Sequence, residues 1–375
     1  MPKTVKNRKR VLSAKRVAFG LFVLLVAGLI AAIKILGGEF SVVGAETALA
    51  RVLGRAKTEF TLTDGYGEVF YDFGASFVSA GGTGISVVNV RGEETDAASF
   101  ALDEPSVASN GRLAVVYSVG GYNAAFADSR GIRYVLRTDG IVLSAAVGRG
   151  GAAAVVTGES GGYKGAVRLY KLRGDTPELT FEWFSGTDYV YLAAVSDDGK
   201  RFCAVSLGES GSRITAFQTT SRTPQFEARY PEAVLGASYM RGDLIFLRTR
   251  SKLLSLSENG ELSELYDFGS SVLSGYTASD SGFAAFTTET AAGVTVTTID
   301  ERGETHAAEV PGAYVSVRCA DGRIAVLTDA AAYIFSDDSL KSVREITVSP
   351  GFTDIFPRGR GSAIVFGGFG AEIIG

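Results

Sequence analysis

"VSDDGKRFCAVS", residues 195–206, sets two aspartates and a glycine between two apolar stretches. Such an acidic turn is either a site, for calcium or for catalysis, or punctuation between strands, and recurrence separates the two. A glycine that follows polar residues and precedes an apolar run returns at Gly74, Gly111, Gly151, Gly199, Gly242, Gly282, Gly322 and Gly361. The gaps are 37, 40, 48, 43, 40, 40 and 39 residues. A repeat of roughly 40–45 residues is the period of a four-stranded propeller blade. The aspartates are therefore read as hairpin caps. A calcium loop needs alternating oxygen ligands over about a dozen residues, and "SDDGK" is too short for one.

One period can be read in full. In "AYVSVRCADGRIAVLTDAAAYIFSDDSLKSVREITV", residues 313–348, four segments rich in β-branched and aromatic residues are divided by Asp-Gly, Asp-Asp and Ser turns. The expected strands are Ala313–Cys319, Arg323–Thr328, Ala332–Phe335 and Ser342–Val348. A second turn keeps the same phase between third and fourth strands: "VRGE" (90–93), "SRGI" (129–132), "LRGD" (172–175), "ENGE" (258–261) and "ERGE" (301–304).

First strands are expected to end near residues 73, 110, 149, 198, 241, 281, 321 and 360. The chain after Gly361 has no room for a last fourth strand. "KTEFTLT", residues 57–63, is the spare segment. The reading is an all-β, eight-bladed β-propeller of four-stranded antiparallel blades over residues 56–375, with the N-terminal strand completing the C-terminal blade and removing its open edge. Seven blades is the alternative, at the cost of stranding one repeat.

"SDDGKRFCAVS" and "SDSGFAAFTT" resemble the Ser-x-Asp-Gly hairpins of TolB and WD40-like repeats. The whole plan also resembles a family of bacterial membrane-anchored propellers that is defined only as a domain of unknown function. The resemblance implies fold; its motifs are structural turns. The Gly-His and Trp-Asp pairs of true WD40 repeats are absent.

The amino terminus reads differently. Residues 1–38 carry eight Lys/Arg and no acid, which leaves 29 bases against 41 acids in the remainder, a net of −12. A body that anionic is a poor match for a phosphate backbone, so no nucleic-acid partner is expected. Val17–Ile33 is uninterruptedly apolar and continues through Lys34, Ile35 and Leu36. Twenty residues span about 30 Å as a helix, the thickness of a bilayer's hydrocarbon core. The preceding basic block keeps the N-terminus cytoplasmic. The expected organisation is a cytoplasmic tail (1–16), a signal anchor (17–36), a juxtamembrane connector (37–55) and an extracytoplasmic propeller. A cleaved signal peptide, with "ALA" at 48–50 as its cleavage site, is the alternative.

Little in the chain favours chemistry. The single histidine, His306, follows a third-to-fourth-strand turn and is expected on the outer rim, away from any triad or metal cluster. Cys203 and Cys319 are expected to be buried, unbridged small apolar residues. One tryptophan, Trp183, does not supply the repeated motif of quinoprotein propellers, and no cofactor or metal is expected.

Loops joining second to third and fourth to first strands share one face. There "TGESGGYKG" (157–165) and "LGESGSRI" (207–214) are near copies in adjacent blades. Glu159 and Glu209 are expected on that face with Tyr122 and Tyr163, and the fourth-to-first loops add Trp183, Phe184, Tyr189, Tyr230, Tyr314 and Phe352. Aromatics with acids on loops of a rigid ring suit binding; the competing role is sealing the seams between blades. The expected function is a non-enzymatic binding or assembly scaffold at the bacterial cell envelope, with an envelope or membrane protein as partner. The alternative is an envelope enzyme acting on a glycan or peptide through ring-mouth carboxylates. A ligand-sensing ectodomain would need a separate membrane partner, because about sixteen cytoplasmic residues cannot hold an output domain.

Overall fold

The computed structural model describes residues 58–62, 67–159, 161–240, 244–279, 281–290, 293–359, 361–368 and 370–375. The tail, the apolar segment, the connector and the Gly242 turn lie outside the described residues. Among the described residues no helix is long and apolar enough to cross a membrane.

Thirty-two strands are formed by the described residues, in eight four-stranded sheets. The first strand of the described residues is β1 (Glu59–Thr61). Blade 1 holds β2 (Val69–Asp72), β3 (Ser76–Gly81), β4 (Gly84–Asn89) and β5 (Glu94–Ser99). Blade 2 holds β6 (Pro105–Ser109), β7 (Leu113–Ser118), β8 (Asn123–Asp128) and β9 (Gly131–Arg137). Blade 3 holds β10 (Val142–Val147), β11 (Ala152–Thr157), β12 (Gly165–Arg173) and β13 (Thr176–Ser185), and blade 4 holds β14 (Tyr189–Val195), β15 (Arg201–Gly208), β16 (Gly211–Gln218) and β17 (Phe226–Tyr230). Blade 5 holds β18 (Gly236–Tyr239), β19 (Ile245–Arg248), β20 (Lys252–Leu256) and β21 (Leu262–Asp267), and blade 6 holds β22 (Leu273–Ala278), β23 (Phe283–Thr290), β24 (Gly293–Asp300) and β25 (Thr305–Val310). Blade 7 holds β26 (Tyr314–Ala320), β27 (Arg323–Thr328), β28 (Ala331–Phe335) and β29 (Val343–Thr347), and blade 8 holds β30 (Phe352–Arg358), β31 (Ser362–Gly367) and β32 (Gly370–Ile374).

Every hydrogen-bonded neighbour pair is antiparallel, and blade 8 takes β1 as its fourth strand in the order β1-β32-β31-β30. The ring is an all-β, eight-bladed propeller closed by its N-terminal strand, and the seven-blade alternative is excluded. First strands touch their counterparts in neighbouring blades, β10 with β14, β22 with β26, β26 with β30 and β30 with β2, so they form the innermost ring.

The packing follows from a period of two. Successive strand side chains point to opposite faces, so each middle strand feeds two seams. In β11, Ala152, Ala154 and Val156 join blade 4 residues such as Phe202 and Phe217 in one apolar cluster, while Ala153 and Val155 join Leu113, Val115 and Phe126 of blade 2 in another. Eight such clusters occupy the eight seams. This is why second strands such as β3, β7 and β11 are buried at every position instead of alternating, whereas the outermost β29 is exposed at four of its five positions.

The acidic turn that opened the reading is structural. Asp198 Oδ1 accepts hydrogen bonds from Lys200 N and Ser196 Oγ, both at 2.9 Å. The Lys200 amide is the main reason that the Asp198 carboxyl lies below its ordinary range. The third-to-fourth-strand turns are closed alike: Asp300 Oδ1 accepts from Arg302 N at 2.9 Å and Glu304 N at 2.8 Å. At Asp321-Gly322 both φ angles are positive, 51° and 74°. That is the requirement of the tightest hairpin turn and the reason glycine recurs there.

His306 lies exposed on the outermost β25, as expected. Neither cysteine is in a disulfide. Cys203 is fully buried, but Cys319, packed against the blade 6–7 cluster from the end of the innermost β26, is only half-buried. Burial pushes the Cys203 thiol up to about 12. In a Cys319→Ser background, Cys203 is therefore expected to resist iodoacetamide at pH 8 until urea unfolds the ring. Stoichiometric labelling of the native protein within minutes would contradict this.

Candidate functional site

In an up-and-down blade whose first strand is innermost, the 2–3 and 4–1 connections emerge on one face and the 1–2 and 3–4 turns on the other. The strand order places all ten sequence-predicted residues at or beside the first of these faces.

Alternation along β13 divides the two aromatics "WF". Trp183 pairs in register with Val167 and turns into the blade 3–4 seam, its ring 5.1 Å from Phe217. Phe184 pairs with Ala166 and takes the opposite side, where it meets Tyr163 at 4.9 Å and carries the Arg168 guanidinium 5.5 Å above its ring. Arg168 in turn bonds Glu182 Oε1 at 2.7 Å and Glu159 Oε1 at 2.8 Å. Burial lowers the affinity of Arg168 for its proton, but its hydrogen bonds and ion pairs with Glu159 and Glu182 outweigh that and raise its pKa.

The near-copy loops thus use their glutamates differently. Glu159 is folded inward, where Thr157 Oγ1 also donates to it at 2.7 Å. Glu209 is exposed. It lines a cleft of about 670 Å³ between blades 3 and 4 together with Lys164, Tyr189, Arg213 and Arg229. Lys164 Nζ donates to Tyr189 Oη at 3.3 Å and stands 4.9 Å over the Tyr189 ring. Asp188 pairs with Arg213 at 3.1 Å.

The structure therefore brings together Glu159, Tyr163 and Phe184 in one cluster, and Tyr189 and Glu209 in the adjoining cleft. Tyr122 is exposed on the 2–3 loop of blade 2 and shares no ring contact with them among the described residues. Tyr230, Tyr314 and Phe352, like Trp183, pack against seam clusters. Those four serve the ring. Tyr189 is 62% exposed, and among the described residues its side chain meets Lys164. Sequence reading passed over Lys164, Arg213 and Arg229, although Lys164 sits in the quoted "GGYKG" loop beside Tyr163.

Chemically, three carboxylates of this region are held by arginines, Glu159 and Glu182 by Arg168 and Asp188 by Arg213, while Glu209 stays exposed. Among the described residues no group of three or more His, Cys, Asp or Glu is placed to hold a metal ion.

Solved structures with the same fold include Saccharomyces cerevisiae Sqt1, which is similar over 85% of this chain and 99% of its own, with a TM-score of 0.59 and 11% identity. Kuenenia stuttgartiensis hydrazine synthase matches over 74% of this chain and 93% of its own, at a TM-score of 0.49 and 12% identity. At 11% identity the likeness to Sqt1 is one of architecture. No curated protein matches the chain. Residues 54–366 match a family of unknown function, DUF5711, and the chain belongs to that family.

Proposed function

We propose that the chain is a single-pass membrane protein whose propeller stands outside the bacterial membrane as a non-enzymatic binding or assembly scaffold, recognising an envelope or membrane protein. The apolar run of 17–36 behind a basic tail supports the anchor and its orientation. The observation that carries the binding role is Tyr189. It is a large aromatic, 62% exposed, braced by Lys164 and bordered by Glu209 and Arg229 on a rigid ring. Exposed tyrosines with arginines beside them are the residues on which protein interfaces concentrate their affinity. The arginine-bound carboxylates beside it suit that role better than hydrolysis.

The test is crosslinking in intact cells followed by affinity capture, comparing wild type with Tyr163→Ala/Tyr189→Ala. A defined envelope protein should be recovered with wild type and lost with the variant, whose affinity should fall on the order of 30-fold or more if the tyrosines are anchors. Recovery of the same set with both, or of nothing, would discard the surface.

A further inference from the structure

On the same loop face, between blades 5 and 6, lies a second cleft of about 760 Å³, within the size range of small-ligand sites. Its walls include Leu235 and Val272, both exposed, the latter by 78%. Arg248, at the end of β19, reaches this cleft beside Arg250. The one carboxylate in the lining, Glu232, is already engaged by Ser251 Oγ at 2.8 and 2.9 Å.

Arg248 is unlike the other half-buried or buried arginines of the ring. Arg168, Arg213, Arg318 and Arg358 each face a carboxylate. Among the described residues Arg248 has none within ion-pair distance; its guanidinium instead stands over the Tyr276 ring, 5.6 Å from its centre. Nη2 donates to Leu235 O at 2.9 Å, but Nε is buried without a hydrogen-bond partner. Its register partner is Gly236, where a Cβ would lie 3.3 Å from Nε, so the glycine leaves the guanidinium its place against the strand. Burial lowers the pKa of Arg248 with no acid to offset it. A guanidinium that lines a cleft without a carboxylate of its own is matched by one carried on a ligand, in charge-assisted hydrogen bonds.

We propose that this cleft binds a carboxylate carried on an apolar body, the acid meeting Arg248 and the apolar part lying on Leu235 and Val272. The acid belongs either to a small free acid or to the C-terminus of a peptide with an apolar last residue; the chemistry is the same. This site is separate from the Tyr189 surface and stands or falls without it.

Titration calorimetry on the purified full-length chain would use three probes: octanoate, the acetylated peptide Ala-Ala-Leu with a free carboxylate, and the same peptide as its amide. Binding of octanoate identifies a small acid, and binding of the free peptide but not its amide identifies a C-terminus. In either case Arg248→Gln should weaken binding roughly tenfold to hundredfold, the range for a charge-assisted hydrogen bond. Should Arg248→Gln disturb folding, Val272→Glu keeps the test open. It sets a like charge on an exposed wall and should weaken binding without moving the unfolding midpoint. Equal binding of acid and amide, no binding of any probe, or binding unaffected by both variants overturns the proposal.

Discussion

Asp72→Ala is expected to lower the free energy of unfolding by about 3–5 kcal/mol, the cost of removing one partner from a buried ion pair. Asp72 ends β2 in blade 1, and Arg358 ends β30 in blade 8. Their side chains are 4% and 6% exposed, and the guanidinium meets the carboxylate with two nitrogens. Asp72 Oδ1 also accepts from Gly74 N at 2.9 Å, which ties the pair to the first hairpin turn. The substitution leaves a guanidinium inside the seam where the ring's two ends meet. The pair itself need not be a net stabiliser, since both charges lost water to form it. Hence Asp72→Leu/Arg358→Met should recover most of the loss. Urea unfolding monitored by far-UV circular dichroism measures both. A loss below about 1 kcal/mol for the single variant would refute the argument.

Phe60→Ala should cost a comparable amount, about 3–5 kcal/mol, as phenylalanine truncations in cores do. The closing strand is short: Glu59, Phe60 and Thr61 face Glu372, Ala371 and Gly370, with one further bond from Ile373 N to Thr58 O at 2.7 Å. So few ladder bonds make the buried ring of Phe60, packed edge-on to Phe77 at 5.4 Å, the main hold on the strand. Its loss should also uncover β32, an edge able to pair with another molecule. The expected sign is concentration-dependent self-association by light scattering, together with the lower urea midpoint. A variant that stays monomeric and loses under about 1 kcal/mol would show that the latch is held by its backbone alone.

The architecture was legible because it is written locally. Each hairpin needs its own glycine and polar cap, so Gly74, Gly199 and Gly322 mark turns without reference to anything distant, and the missing fourth strand of blade 8 could be counted. Segments such as Arg323–Thr328 came out with their boundaries intact. The face could be inferred from strand direction alone. What was not legible depends on partners far along the chain. Glu159 and Glu209 sit in almost the same words, but only the first has an arginine at the matching cross-strand position, Arg168 against Glu182. Asp72 and Arg358 are 286 residues apart. Arg248 is distinguished by a counter-charge that the described residues of blades 5 and 6 do not supply, and a linear text carries no sign of that. The aromatics divided by strand parity: neighbours in sequence, Trp183 and Phe184 had to part.

The closing strand also sets a clock. Glu59 cannot meet Glu372 until 313 further residues exist, which at about 5–20 residues per second takes roughly 16–60 s of synthesis. Through that interval the seven complete blades can form seam by seam in the order they are made, while the first segment of the propeller waits without a partner. Birth order and assembly order are reversed at this one place: the earliest strand is the last to dock. Any factor that shields a lone strand, or delays the nascent chain after residue 59, acts on the final step of folding rather than the first.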